Sequence, residues 1–403
     1  MKLNQRVSQR LKSIKPSPSI AANELVTQLR SEGFNIINFT IGEPDFDTPE
    51  HIIKATIEAL KNSETHYTPA AGTVVLRKAI CEKLARDNGL RYELNEIVCG
   101  SGGKHIIFHA FASTLDKNDE VIIHAPYWVS YPDLAILNEG TPVIVEGDES
   151  NDFKLTAEQL EESITANTRW VVLNYPNNPT GAVYRAEELM ALADVLRKYP
   201  DVLIMLDEIY EHFVYEDATH LSLAAVAPDL KERILIINGA SKGYAMTGWR
   251  LGFGAGPQWL TSAITKLISQ TTTCPSSVSQ AAAVAAFAGD QQPVKEMLAI
   301  YTARRKRIVE LLSNLPGLSF NPPAGAFYLF INVSGLIGKI KPNGSRITSD
   351  DDVVEYFLRD AGVATVTGKA YGLSPYLRIS FASSVDVIEE GCRRLKTAIA
   401  LLR

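Results

Sequence analysis

Four cysteines are all the chain offers in 403 residues, Cys81, Cys99, Cys274 and Cys392, with no CxxC pair and no ligand spacing. That excludes a disulfide framework and a thiolate metal centre, and makes reduced thiols in a cytoplasmic protein the expectation. Long apolar runs are missing as well, so no stretch reaches the ~20 residues that a membrane span requires. The opening MKLNQRVSQRLKSIK carries basic residues with no continuous apolar segment behind them, which reads as a short amphipathic helix rather than a secretory signal. Net charge is −6, and there is neither a basic block nor a basic stripe interleaved with aromatics, so nucleic acid is not an expected partner. The seven histidines are scattered. His105 and His109 share a face of an expected helix, but with no glutamate between them and no third ligand nearby, so no metal is expected.

The remainder is ordinary globular material, 46% hydrophobic and 21% charged, and long enough for two or three domains. Residues 1–32 read as a basic helix, a Pro/Ser break at Lys15–Ser19 and a second helix up to Gly33. A weak strand at Asn35–Phe39 leads into TIGEPDFDTP at 40–49, a loop dense in fixed dihedrals that suits the lining of a cleft better than a plain linker. Thr48 is the expected cap of the helix that follows, with Pro49 at its first position.

From there short apolar strands alternate with helices. Strands are expected at 97–99, 120–124, 141–145, 170–173, 202–206, 234–237 and 252–254, most of them stopping at a polar or glycine-rich loop. Nearly continuous apolar strands of this kind belong to a mostly parallel sheet covered on both faces. In such sheets ligands gather at the carboxyl edge. A long helix from Gln292, with Arg304-Arg305-Lys306-Arg307 as its expected solvated face, crosses to a last hundred residues of different character. These read as strands at 327–333, 363–367 and 376–381 and a helix at 351–360, a smaller α+β domain onto which the N-terminal segment is expected to fold back.

Chemistry-bearing residues stand just past the strand ends. ILIING at 234–239 precedes Lys242, where partial desolvation would lower the amine's pKa towards nucleophilic use, although a surface lysine is the bland alternative. Gly100-Ser101-Gly102-Gly103-Lys104 between a strand and an apolar helix is either a phosphate-binding turn or merely a tight one. Arg250 is a fixed cation suited to neutralise that phosphate. Asp207 follows an apolar strand and calls for a cationic nitrogen; Tyr210 and Asn178 can bond a ring oxygen, and Trp128 offers a ring face. Arg378 sits inside an apolar-patterned strand, so it implies either a ligand carboxylate or an internal acidic partner. A phosphorylated pyridine aldehyde joined to Lys242 as an imine uses all of these groups at once.

The motifs IGEPDFDTPEHI at 41–52, HYTPAAG at 66–72, PYWVSYPD at 126–133, NYPNNPTGAVY at 174–184, DEIYEHFVY at 207–215, SKGYAMTGWRLGF at 241–253, PAGAFY at 323–328 and LRISFA at 377–382 span essentially the whole chain. In that order and spacing the chain resembles the class I, fold-type I pyridoxal-phosphate aminotransferases, most closely the prokaryotic subgroup of bacterial aspartate aminotransferases. The resemblance implies an α/β fold. It has a large domain (49–290) with a mostly parallel seven-stranded sheet covered by helices, a smaller α+β domain (291–403), and an N-terminal segment (1–48) packed on the small domain and lining the site. It implies pyridoxal 5'-phosphate as cofactor, with Lys242 as Schiff-base lysine and Asp207 at the pyridine nitrogen. Tyr210 and Asn178 would bind the ring oxygen, Trp128 would stack on the ring, and Gly102, Gly103, Lys104, Ser241 and Arg250 would hold the phosphate. Tyr67 would reach the cofactor of the other subunit of a homodimer with shared sites. Arg378 would take the substrate α-carboxylate, and the backbone around Gly42 would close over it.

The implied reaction is L-aspartate with 2-oxoglutarate; aromatic amino acids, prephenate or alanine are alternative substrates, and C–S β-lyase chemistry an alternative reaction. Two departures stand out. Gly239-Ala240-Ser241-Lys242 replaces the SxSK run of some relatives, and no counterpart of the partner-subunit arginine of the other aspartate aminotransferase subgroup can be located. Lys104 stands where the prokaryotic subgroup places a distal-carboxylate lysine, with counter-charge to the phosphate as its competing role. Ser19 is a weaker match to a residue near that carboxylate.

Overall fold

The computed structural model describes residues 7–14, 18–216 and 218–403. Strands are numbered along the chain: β1 Ile37–Asn38, β2 Ile97–Gly100, β3 Glu120–Ala125, β4 Thr141–Glu146, β5 Thr168–Asn174, β6 Leu203–Asp207, β7 Ile234–Gly239, β8 Gly252–Ala255, β9 Tyr328–Asn332, β10 Val363–Ala364, β11 Val366–Thr367 and β12 Tyr376–Ser380. The central sheet has seven strands in the order β2-β8-β7-β6-β5-β3-β4. Neighbours among β3 to β7 are parallel, and β8 alone runs against both its neighbours.

Burial explains this arrangement. Every residue of β2, β6, β7 and β8 is buried, so these strands need cover on both faces. Helices Gly103–Thr114 and Gln258–Thr271 supply one layer, packing Ile107, Phe111 and Ile264 with Val98 and Ile237 of the sheet. Helices Val74–Asn88, Ala186–Lys198 and Ser277–Ala288 belong to the other, larger core with Leu206 and Ile236. With the helices occupying both faces, a cleft remains available at the edge where β5, β6 and β7 end.

The second domain is α+β. Its sheet is β11-β12-β9, wholly antiparallel. β1, Ile37–Asn38, pairs in parallel with β10.

Several expectations need correction. The single strand expected at 363–367 is two, since the chain changes partner at buried Thr365: β10 serves β1 and β11 serves β12. Thr48 is not the helix cap; Pro49 takes that position before Glu50–Lys61. The Thr48 hydroxyl instead donates to the Ala245 carbonyl at 2.9 Å and accepts from Trp249 Nε1 at 2.9 Å. The arginine run on helix Gln292–Leu312 is not a solvated face. Arg304 is 7% exposed and grips Asp45 with two bonds of 2.6 and 2.9 Å. Arg305 bonds the Pro323 carbonyl at 2.6 Å and Arg307 pairs with Glu389 at 2.7 Å, leaving Lys306 as the exposed member of the run. A run of cations reads as solvent-facing only until another segment brings acceptors to it. The Ser19 side chain lies outside the described residues.

Candidate active site

The polar groups that follow β5, β6 and β7 meet in one cavity of about 300 Å3, also lined from the loop at Gly42 and from Tyr328 and Arg378 of the smaller domain. Of the residues expected from sequence, the cavity gathers Gly42, Gly103, Lys104, Trp128, Asn178, Asp207, Tyr210, Ser241, Lys242, Arg250 and Arg378. Gly102 adjoins it as the cap of helix Gly103–Thr114. Tyr67 lies elsewhere and is 86% exposed.

Asp207 ends β6 in a tightly specified setting. Tyr131 Oη donates to its Oδ2 at 2.6 Å, and the Ile209 amide reaches Oδ1 at 3.4 Å. Its main-chain carbonyl accepts from Asn174 Nδ2 at 2.8 Å and from the Tyr175 amide at 3.2 Å. Burial pushes its pKa up to about 6, against the lowering pull of the Tyr131 bond. A buried carboxylate with so few donors is suited to a protonated nitrogen. Tyr131 and Asn174 were not singled out from sequence. Tyr131 sits inside PYWVSYPD and Asn174 ends a strand, but nothing local links either to Asp207.

Lys242 lies just past the end of β7. Its Nζ donates to the Gly42 carbonyl and stands 5.8 Å from the centre of the Tyr210 ring. Burial lowers its pKa to about 8; Glu43 and Asp207 oppose the shift, while Arg378 and Arg250 reinforce it. The Tyr210 and Tyr328 hydroxyls share a hydrogen bond of 2.9 Å, which brings in Tyr328, another residue the sequence did not announce.

Arg378 on β12 is 2% exposed. Nη1 donates to Asn178 Oδ1 at 3.0 Å and Nη2 to the Thr40 carbonyl at 2.6 Å, while Nε has no partner among the described residues. The guanidinium lies 4.3 Å from the Tyr328 ring centre and 5.3 Å from that of Tyr371. Its partners are therefore amide, carbonyl and ring faces, so the internal acidic partner left open by the sequence is not what holds it.

At the other end, Gly102 has φ +93° and begins a helix whose first amides are without intrahelical acceptors. A Cβ on Gly102 would lie 2.5 Å from Arg250 Nη2, and one on Gly252 only 2.4 Å from the Gly103 nitrogen. Both glycines are needed for the turn, the arginine and β8 to crowd together. Arg250 is held by the Thr247 carbonyl at 2.7 Å. Lys104 places Nζ 4.7 Å from the Trp128 ring centre, and desolvation, followed by Arg250, keeps its pKa below the usual lysine value. The helix terminus, Ser241 and Arg250 line this part of the cavity, an arrangement that suits an anion.

His105 and His109 are committed to structure, with His105 Nδ1 accepting from the Ser101 amide at 3.2 Å and His109 bonding Thr271. Glu208, Glu211 and His220 also bring ligand atoms within 4.8 Å of one another. The Lys83 ammonium rests directly on Glu211, so this buried group already contains a cation.

Residues 35–395 match the family described as aminotransferase class I and II. A Rickettsia felis protein described as a probable aspartate/prephenate aminotransferase is 46% identical over 392 residues, which is 97% of this chain and 96% of the relative. The aspartate aminotransferase of Rhizobium meliloti (strain 1021) is 46% identical over 389 residues, 96% of this chain and 95% of its own. Among solved structures, an aspartate aminotransferase from Rhizobium meliloti superposes with TM-score 0.96 at 45% identity, covering 99% of this chain and 100% of the other. The aspartate aminotransferase of Thermus thermophilus with maleate gives 0.91 at 37% identity, covering 97% and 99%. Matched in sequence and in backbone over nearly its whole length, the chain belongs to the class I and II aminotransferases, as a fold-type I, pyridoxal-phosphate-dependent enzyme.

Proposed function

We propose that the chain transfers the amino group of L-aspartate to 2-oxoglutarate, giving oxaloacetate and L-glutamate, with pyridoxal 5'-phosphate resident in the cleft. The observation that carries this reading is Arg378, a buried guanidinium held without a carboxylate among the described residues, in a cavity that Lys104 also lines. A buried cation without an anion is costly, and a ligand carboxylate would remove the cost. Two cations suit a substrate with two carboxylates, and the named activities of the relatives agree; the Thermus thermophilus structure holds maleate, a dicarboxylate.

The residues present fit the cofactor. When bound, it supplies an electrophilic carbon for an amine and a ring that takes up the electrons of a broken Cα–H bond. Lys242 would hold it covalently, and its Nζ, when free, would move the proton at the substrate Cα, for which a pKa of about 8 is well placed. Asp207, oriented by Tyr131, would hold a proton on the ring nitrogen. Asn178 gives Oδ1 to Arg378, so its amide NH2 is the group free to meet the ring oxygen, together with the Tyr210 hydroxyl. Trp128 would cover a ring face, and Gly102, Gly103, Ser241 and Arg250 would receive the phosphate. Arg378 would grip the substrate α-carboxylate and so fix the orientation of the substrate Cα. Lys104 reads the distal carboxylate while Gly42 covers the substrate.

The same reading includes a division at 1–48, 49–290 and 291–403, and a cytoplasmic homodimer. Four free cysteines accord with a reducing compartment. Among the described residues no helix is long and apolar enough to cross a membrane. The dimer is supported by Tyr67 and by Ile53, Ile57, Leu60, Val74 and Val75, apolar groups left exposed on neighbouring helices. Prephenate as an alternative amino acceptor is favoured by the names of the rickettsial relatives.

An amino-donor profile tests the assignment: single-turnover changes in the cofactor's visible absorption with each amino acid in turn. Aspartate and glutamate reacting fastest is the expected result. Faster reaction with aromatic amino acids or alanine would overturn the dicarboxylate reading and leave the cofactor assignments standing.

A further inference from the structure

Phe153 lies between β4 and helix Ala157–Ser163, in the part of the chain that builds the seven-stranded sheet, yet its ring is buried in a cluster with Phe330, Val366 and Tyr371 of the smaller domain. It meets the Phe330 ring edge-on at 5.5 Å and the Tyr376 ring edge-on at 5.3 Å, and those two rings stack on each other at 4.8 Å. The backbone is bent to deliver it: Asp152 has φ +60° and Phe153 φ +56°, a left-handed pair without glycine. A bulky aromatic avoids that region unless its surroundings hold it there. Here they do. Asn321 Nδ2 donates to the Glu149 carbonyl at 2.7 Å and to Asp152 Oδ1 at 2.8 Å, and Glu149 Oε2 accepts from Asn332 Nδ2 at 2.8 Å and Tyr376 Oη at 3.1 Å. The turn is thus fastened to the smaller domain at Glu149 and at Asp152.

What Phe153 touches leads to Arg378. Phe330 of β9 is the register partner of Arg378 of β12 on one side and Val366 of β11 on the other, so the three side chains stand in a row on one face of the sheet. The Tyr371 ring joins them, edge-on to Phe330 at 6.2 Å and 5.3 Å from the guanidinium. Its main chain is fixed separately, the carbonyl accepting from the Tyr127 amide at 3.0 Å, so it is the ring on which Phe330 bears. Bonds to Asn178 and Thr40 fix two nitrogens of Arg378, and the rings beside it set the tilt of its plane. The tilt matters because a guanidinium meets a carboxylate through two parallel bonds.

We propose that Phe153 is a positioning residue for the substrate carboxylate: it seats Phe330 and Tyr371, which hold the Arg378 guanidinium at the angle a carboxylate needs. Because Phe153 comes from the domain that carries Lys242 and Asp207, the same contact sets the carboxylate grip in register with the reacting amine. The proposal rests on Arg378 being the carboxylate-binding cation of the proposed function.

The test is maleate binding to the full chain loaded with pyridoxal phosphate, measured by titration calorimetry beside steady-state kinetics with aspartate. Phe153→Ala is expected to weaken maleate binding and raise KM for aspartate by about threefold to tenfold, the worth of one aromatic contact, with kcat and cofactor retention unaltered. Phe153→Leu, which keeps most of the buried volume, is expected to fold as the parent does and to show a smaller loss of the same kind. In an Arg378→Lys background the cation has no plane to set, and Phe153→Ala is expected to weaken maleate no further. Unchanged maleate affinity in either Phe153 variant overturns the proposal, as does a loss of equal size with arginine and with lysine at 378, or a fall in kcat at unchanged KM. Failure of the underlying reading is seen separately, as an Arg378→Ala chain that binds maleate as tightly as the parent.

Discussion

Asp207 and Lys242 are both displaced from ordinary titration by the same cause, burial, and in opposite directions. The sign for Asp207 can be worked out. Its pKa is raised from 3.8 to about 6 in the cofactor-free fold, so the folded chain holds this proton more tightly than the unfolded one. Its contribution to stability is therefore lost as pH rises towards 6, and above that pH the fold carries an uncompensated buried carboxylate. A ring N–H would relieve that cost only where the carboxylate is ionised. The rise in thermal midpoint on adding pyridoxal phosphate is thus expected to grow between pH 5 and 7 in the unaltered chain, and this step should vanish in Asp207→Asn. A pH-independent increment in both would remove Asp207 from the ring nitrogen. Lys104 lends itself to a comparison of substrates. Lys104→Ala is expected to reduce kcat/KM for aspartate up to about fivefold more than for an aromatic amino acid, the worth of one partly exposed charge pair of about 1 kcal/mol. Equal losses would make it a counter-charge to the phosphate.

At the scale of elements, the anion end depends on backbone crowding between the β7–β8 edge and the helix that begins at Gly103. Gly252→Ala would set a methyl group 2.4 Å from the Gly103 nitrogen, which the main chain can accommodate only by moving the helix terminus. Overpacking of this kind costs about 1–3 kcal/mol. Equilibrium dialysis should show cofactor retention weakened by about tenfold or more, with a lower thermal midpoint. Retention unchanged would mean that the turn is not the phosphate seat. The loop Gly42–Thr48 is an element of a different kind: it has no regular structure and takes its position from Arg304 and Trp249.

For the whole molecule, the unit expected in solution is larger than the chain. Tyr67 at 86% exposure is a large aromatic that no described residue of the same copy covers, and helix Glu50–Lys61 also leaves apolar side chains exposed. Sedimentation equilibrium should give twice the 44.2 kDa of the chain, and Tyr67→Phe should weaken cofactor retention while the dimer persists. A monomer that still binds cofactor tightly would refute the shared site.

Much of this was legible in the residues themselves. Continuous apolar strands have to be covered on both faces, so the sheet, its helical layers and the polar groups just past its strand ends follow from local pattern alone. Lys242, Asp207 and Asn178 were found that way, Arg378 as a cation inside an apolar-patterned strand, and the motif resemblance added their roles. Two helices, Ala186–Lys198 and Val385–Ala400, lay outside that reading, although both are amphipathic. What only the tertiary structure decided is who meets whom. Tyr131 reaches Asp207 across 76 positions, Arg378 reaches Thr40 across 338, and Arg304 reaches Asp45 across 259. Such partners depend on strand order and on where a loop is pinned. Sequence periodicity reports only that a side chain is buried or exposed, and carries no information about which distant element will cover it.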